Sequence, residues 1–365
     1  LTVKTKGDPT VSDEIYERLA TALDRLPNAF PRTQSNVEIE ILKKIFSLDE
    51  ASLISNLTGT AETAEEIAER IGDPREEVES KLKDLARRGL IWFQKGKGGI
   101  RFRLAPFMVG IFEASLDKVD HELAHLVEHY LLEGGAEGIM RPQPALHRVV
   151  PAQSSIKSQW ILPYDDVRSI LLSSKSFSVS ECICRRQQEK LGSRRCDFPL
   201  DMCMTFSAAE RSPGPDTVTK EEALATLDRA EEIGLVHTVS NVAKGIGYIC
   251  NCCGCCCGIL RGITEWGIEE SVACANYYAS VDADTCTGCG TCVDRCQVEA
   301  ISVQDELAAV NRDLCIGCGL CVTGCPEEAA SLELKPESER VDPPEDFAAW
   351  ERERMKNRGM QGPAP

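Results

Sequence analysis

The chain has 365 residues, 42% of them hydrophobic, which is enough apolar side chain for two or three domain cores rather than one. A formal net charge of −17 argues against general affinity for nucleic acid or anionic membrane. Nineteen cysteines, an odd number in metal-type spacings, argue against a disulfide scaffold and for thiols kept reduced, so a cytoplasmic location is expected.

Leu1 to Asp8 is polar and lacks an apolar stretch, so no secretory leader is expected there. No uninterrupted apolar run approaches the roughly 20 residues of a membrane span, and no membrane insertion is expected. Residues 1–35 read as an amphipathic helical segment (Ile15, Leu19, Ala22, Leu23, Leu26) ending at Pro27. In residues 36–110, Val37 to Phe46 is apolar at helical spacing. Thr63-Ala64-Glu65-Glu66 is a capping box opening a helix that ends at Gly72. Asp73-Pro74-Arg75-Glu76 reads as another, with Pro at the first helical position of a helix to Arg88. Leu90 to Gln94 and Ile100 to Leu104 read as strands joined at Gly96–Gly99. This order resembles the winged helix-turn-helix domain, and the resemblance implies DNA binding. Charge opposes it: Arg75, Lys81, Lys83, Arg87 and Arg88 face Glu76, Glu77, Glu79 and Asp84 on the would-be recognition helix. The basic wing (Lys95, Lys97, Arg101, Arg103) is offset by the rest of the domain, so docking or dimerisation is expected over DNA reading.

Residues 111–175 read as a long helix, begun at Phe107 and running to Glu133, followed by a connector. His121-Glu122-Leu123-Ala124-His125 matches the zinc-protease pattern His-Glu-x-x-His, but Leu131 stands where the extended form needs a third His. A histidine stripe with His129 is the preferred reading. Gly134 to Ser158 is rich in Pro, Gly and Gln and reads as extended linker; Pro163-Tyr164-Asp165-Asp166 opens a helix to about Ser174.

Residues 176–275 form a cysteine-rich central α/β domain. Phe177 to Cys182 alternates as a strand, which would put Cys182 and Cys184 on one face. Cys196 follows, and Cys203 is expected near a short helix opened by Pro199. Thr219-Lys220-Glu221-Glu222 caps a helix to Ile233, and Leu235 to Val239 reads as a strand. Cys250, Cys252, Cys253, Cys255, Cys256 and Cys257 then crowd into eight residues. Thiols packed like this are usually deprotonated by metal, and iron–sulfur is favoured over zinc. Adjacent cysteines aim their sulfurs differently, so one or two further clusters are expected, of undecided partition, with a non-standard cluster open. Arg185 and Arg186 would supply positive charge beside Cys184. Cys274 stands alone and is expected to be buried.

Residues 276–335 hold Cys286-x-x-Cys289-x-x-Cys292-x-x-x-Cys296 and the same spacing again at Cys315, Cys318, Cys321 and Cys325-Pro326. Gly288, Gly290, Gly317 and Gly319 would let backbone N–H groups point at the sulfurs. This stretch resembles the bacterial-type ferredoxin with two [4Fe–4S] clusters. The resemblance assigns Cys286, Cys289, Cys292 and Cys325 to cluster one, and Cys315, Cys318, Cys321 and Cys296 to cluster two. Gln297 departs from the pattern, which has Pro after the fourth cysteine; a change in local stiffness is expected there. The order of winged-helix-like front, Cys-x-Cys-Arg, Asn-Cys-Cys-x-Cys-Cys and terminal ferredoxin is similar to a family of anaerobe iron–sulfur dicluster proteins of unassigned reaction. Residues 336–365 read as a Pro- and Glu-rich tail with a helix around Pro344 to Lys356 (Phe347, Trp350, Met355), as docking arm or frayed terminus.

The fold class is therefore α+β and multidomain. The expected function is an iron–sulfur electron-transfer protein or oxidoreductase subunit, relaying single electrons through two ferredoxin clusters and at least one central cluster. A redox-sensing winged-helix transcriptional regulator and a reductase acting at the central cysteine site are the alternatives. No NAD or flavin is expected in this chain, because Gly245-Ile246-Gly247 is followed by Cys250 where the third Gly should stand. The expected partner is a redox protein or a larger oxidoreductase complex, with a homo-oligomer open.

Overall fold

The computed structural model describes residues 11–96, 98–157, 159 and 161–360. The polar Leu1–Asp8 stretch, Lys97 of the expected wing and Ser158 lie outside them. The chain is mixed α and β and divides into two compact units, one up to Ile139 together with Arg354 onward, the other Met140–Glu353. No helix among the described residues is long and apolar enough to cross a membrane.

The first unit opens with α1 (Val11–Asp24), α2 (Val37–Ile45) and α3 (Leu48–Ile54). Helix α3 has a signal of its own in Ser47-Leu48-Asp49-Glu50: the Ser47 side chain accepts from the Glu50 N–H while Glu50 accepts from the Ser47 N–H. Next come β1 (Glu62–Thr63) and α4 (Ala64–Ile71), capped by the Thr63/Glu66 box and ended by Gly72 at φ 79°. Helix α5 (Arg75–Arg87) begins one residue later than expected. Pro74 is its N-cap, with ψ 129° and no side-chain capping bond, so Asp73 forms no box. Strands β2 (Ile91–Gly96) and β3 (Gly99–Leu104) join β1 in an antiparallel sheet ordered β1-β3-β2.

The expected helix from Phe107 to Glu133 is broken. Val109 has φ 60°, Glu113–Lys118 is a 3-10 turn, and Asp120 accepts from the Leu123 N–H at 2.8 Å to cap α6 (His121–Tyr130). A side-chain acceptor of this kind ends one segment by starting the next. Gly134, at φ 114°, then interrupts the chain before α7 (Ala136–Met140). Phe30 packs against Phe107 and Tyr130 at ring distances of 4.6 and 5.0 Å in the core. Arg354, fully buried, donates from Nε to the Pro27 carbonyl at 2.8 Å and from Nη2 to that of Ile139, which is ordered packing rather than a frayed tail.

The second unit is built on a seven-stranded sheet ordered β10-β4-β8-β9-β6-β5-β7. Its strands are β4 (His147–Val150), β5 (Ser176–Glu181), β6 (Asp201–Ser207), β7 (Thr217–Val218), β8 (Val236–Ser240), β9 (Tyr248–Cys252) and β10 (Val272–Ala273). Pairing is antiparallel except between β10 and β4. All four residues of β4 are buried, so part of the expected linker is a strand inside the sheet. Helix α8 (Val167–Ser173) is capped by Asp166, and α10 (Lys220–Ile233), capped by the Thr219/Glu222 box, packs over β5, β6 and β8. Helices α9 (Ile183–Lys190) and α11 (Gly258–Thr264) start at strand ends. The C-terminal cysteine runs ride on β11 (Tyr277–Val281), α12 (Thr291–Asp294), the β12–β13 hairpin (Ile301–Gln304, Leu307–Val310), α13 (Leu320–Thr323) and β14 (Ala330–Leu334). Strand β11 pairs β14 from Tyr277↔Leu334 to Val281↔Ala330, closing the module on itself. In α14 (Phe347–Asn357), Trp350 is buried in this unit, its Nε1 donating to the Ala145 carbonyl at 2.9 Å.

Candidate metal centre

The two C-terminal runs fold into matching loops. Gly288, Gly290, Gly317 and Gly319 all have φ between 65° and 82°, which turns the loop around its cysteines. Cys286, Cys289, Cys292 and Cys325 line one cavity. Cys318, Cys321 and Cys296 are raised by burial, Cys321 up to about 12, and each also feels the charge of Cys315 at a second position. Backbone N–H groups reach sulfur at Gly288 to Cys286 (3.5 Å) and Ala300 to Cys296 (3.2 Å). Cys289 is exposed, whereas Cys292 and Cys321 are buried. Thiols in loops with inward N–H donors fit cubane ligation, since metal removes the cost of burying each thiolate.

The central cysteines separate into two sets. Cys182 and Cys184 do not share a strand: β5 ends at Glu181, Cys182 is the N-cap of α9, and Cys184 lies in its first turn. Cys203 is on β6 rather than beside a helix, in register with Cys250 of β9. Cys252 ends β9, and Cys257 is the N-cap of α11. These six close a ring of electrostatic neighbours in which Cys182 interacts with Cys184 and Cys203. Cys250 reaches Cys203 and Cys252, and Cys257 reaches Cys252 and Cys184. With protons as the only counter-charge, donation from Cys184 and Cys203 holds Cys182 well below the usual thiol range, and Cys250 and Cys257 do the same to Cys252. Cys184 and Cys203, which donate to Cys182, are pushed up. Such a ring can ionise throughout only against a cationic metal group.

The other four, Cys196, Cys253, Cys255 and Cys256, have all their sulfurs within 4.8 Å of one another. Cys196 is 3.8 Å from both Cys253 and Cys256, and Cys255 is 3.6 Å from Cys256. Donation from Cys253 and Cys256 holds Cys255 down to about 4, and its contact with Cys253 pushes Cys196 up to about 12. Met202, Ala230 and Leu235 pack with Cys253 and Cys256 in one core, while Cys196 and Cys255 are half-buried beside it.

Between the sets lies Arg185, fully buried, donating to the carbonyls of Pro199 (3.1 Å) and Asn251 (2.7 Å). Burial opposes its charge, but the sulfurs of Cys182, Cys253 and Cys252 outweigh burial and hold the guanidinium above its ordinary value. Arg186 does not join it; it pairs with Glu181 at 2.5 Å and with Glu189. Residues that carry no sequence signal complete the surroundings. Thr238 Oγ1 is 3.5 Å from the Cys252 sulfur and 3.3 Å from Nδ1 of His147, which burial pushes down to about 4. Asn251 is held by His237 Nδ1 at 2.6 Å and donates to the Met202 carbonyl at 2.8 Å.

Residues 279–332 match the family model described as a 4Fe-4S dicluster domain. The C-terminal module is a ferredoxin-type domain. A probable ferredoxin of Methanosarcina thermophila is 57% identical over 28 residues, which are 8% of this chain and 48% of that protein. The match thus spans about half the length of that curated relative. The family match stops short of the central field, whose reading rests on its own geometry.

The ferredoxin-type domain is docked by the two residues that flank Cys296. Arg295 donates to the carbonyls of Glu231 and Glu232, both at 2.8 Å, satisfying the C-terminal end of α10. Gln297 donates to the Gly234 carbonyl at 3.0 Å and accepts from the Gly254 N–H at 2.9 Å. Gly254 lies between Cys253 and Cys255, and a Cβ there would sit 2.0 Å from the Gln297 carbonyl oxygen. Cys318 is tied in too, its carbonyl accepting from the Ala152 N–H at 2.9 Å.

The remaining candidates fall away from these centres. His121 and His125 stack at 6.5 Å on the exposed face of α6, where Glu122 pairs with Lys44, and among the described residues no histidine joins a metal-holding group. Cys274 is exposed rather than buried and lines an open cleft with Arg148 and Asp165.

Proposed function

We propose that the chain is an iron–sulfur electron-transfer protein or oxidoreductase component, whose ferredoxin-type domain is wired to a further cluster in the ring of six central cysteines. Cubanes supply one-electron transfer when bound, with no acid–base residue required. In this reading Cys286, Cys289, Cys292 and Cys325 hold cluster one, and Cys315, Cys318, Cys321 and Cys296 hold cluster two. The observation that carries it is the junction Arg295-Cys296-Gln297, which puts a ligand of cluster two one residue from the hydrogen bond to Gly254. Exposed Cys289 marks the side an outside redox partner can approach, while buried Cys321 and the Cys318 loop face inward. Six thiols exceed the four corners of one cubane and fall short of two separate ones, which suits a fused or otherwise non-standard iron–sulfur group.

The first unit is read as a winged-helix-like docking module. The order of α4, α5 and the β2–β3 hairpin supports the likeness. Cations of α5 are engaged by carboxylates: Lys83 with Glu79 at 2.6 Å, Arg87 with Asp84 at 3.3 Å, Arg88 with Asp84 at 3.1 Å and also with Glu50. A helix so neutralised offers phosphates little, and docking is favoured over DNA reading.

An anaerobic redox titration followed by electron paramagnetic resonance tests the relay. The full chain should show a signal beyond the ferredoxin pair, and Cys184→Ser should remove it while leaving the pair intact. Identical spectra in the two proteins would contradict a cluster in the ring.

A further inference from the structure

We propose that Cys196, Cys253, Cys255 and Cys256 bind a single Zn²⁺, and that this site is not a fourth iron–sulfur cluster. The argument is one of size. A tetrahedral zinc with Zn–S bonds of about 2.3 Å sets its four sulfurs about 3.8 Å apart. A cubane places an iron at each corner, which drives its terminal sulfurs to about 6 Å. Three of the six observed separations are 3.6 to 3.8 Å and all six lie within 4.8 Å, which matches the mononuclear edge and leaves no room for the cubane. The same chain supplies the contrast: among the described residues, these four are the one group of three or more candidate ligands all within 4.8 Å, and the ferredoxin thiols do not form such a group.

The surroundings suit a closed structural site. Four thiolates on one Zn²⁺ carry a net charge of about −2, which needs a nearby cation. Arg185 supplies it from full burial, its charge drawn to Cys253. Arg194 holds the Cys196 loop by donating to the Cys196 carbonyl at 2.9 Å. Four thiolates fill the tetrahedral shell of one zinc and leave no open coordination position for substrate. Zinc has no redox chemistry, so the site would carry no electron. It would clamp the Cys253–Cys256 turn, from which the Gly254 N–H donates to Gln297, to the loop after α9 that bears Cys196. The relay itself would then run to the six-cysteine ring.

The test is metal analysis of the full chain, purified anaerobically from cells supplied with both iron and zinc. About one zinc per chain is expected, falling below about a tenth in Cys255→Ser with iron and sulfide unchanged. Cys184→Ser should do the reverse, so loss of the ring cluster and loss of the zinc site are read separately. Should Cys255→Ser not fold, zinc X-ray absorption on the unaltered protein decides, with four sulfurs at about 2.3 Å expected. Zinc absent from the unaltered protein, one iron in its place, or iron lost in Cys255→Ser would each overturn the assignment.

Discussion

At the scale of single residues, Gln297 is the most informative departure from a motif. Read from spacing alone it is a missing proline and a local loss of stiffness. Its amide in fact makes two bonds that no proline could make, one to the Cys253–Cys256 turn and one to the end of α10. Removing it leaves the Gly254 N–H and the Gly234 carbonyl without partners, at a cost of about 1–3 kcal/mol. Gln297→Ala and Gln297→Pro should both lower the apparent melting temperature measured anaerobically, with iron per chain unchanged. Arg185 belongs to the same scale. Its position beside Cys184 was legible as a source of positive charge, but only packing shows that it is buried between two thiol sets while Arg186 turns to solvent carboxylates.

At the scale of elements, the strongest sequence signals are local ones. The Thr63 and Thr219 capping boxes start α4 and α10 at the residues their patterns indicate. The eight-cysteine repeat told its chemistry from spacing, because each ligand loop is short and local. What escaped was non-local. Strand β4 has only four residues beside Pro144 and Pro151, so its periodicity is too short to register, and it is recognised only by the neighbours that bury it. Strand β9 places Cys250 and Cys252 on the ring through pairing with β6 and β8, a register that no window of sequence contains. The split of ten central cysteines into six and four follows from that pairing, so it could not be assigned beforehand. Helix α14 makes the same point at the other end of the chain. Its composition reads as a frayed arm, yet Trp350 is buried with a satisfied indole N–H. Trp350→Ala should cost about 3–5 kcal/mol, visible as a clear drop in the unfolding midpoint under conditions that keep the clusters intact.

At the scale of the whole molecule, the ferredoxin-type domain is the familiar part and the central sheet the distinctive one. The domain's inward side is fixed by Arg295, Gln297 and the Cys318 carbonyl, all in backbone-directed hydrogen bonds. A freely tethered carrier would not need such a footing; a relay that hands electrons to a fixed neighbour does. On the proposed reading, the neutralised α5 surface of the first unit holds a protein partner rather than a duplex. All of this rests on the ring of six central cysteines holding iron. Iron and acid-labile sulfide per chain, measured on the anaerobically purified full-length protein, test that most directly. The account predicts clearly more than the roughly eight irons that two cubanes contain, with the excess lost in Cys184→Ser; a count of about eight, unchanged by that substitution, would contradict it.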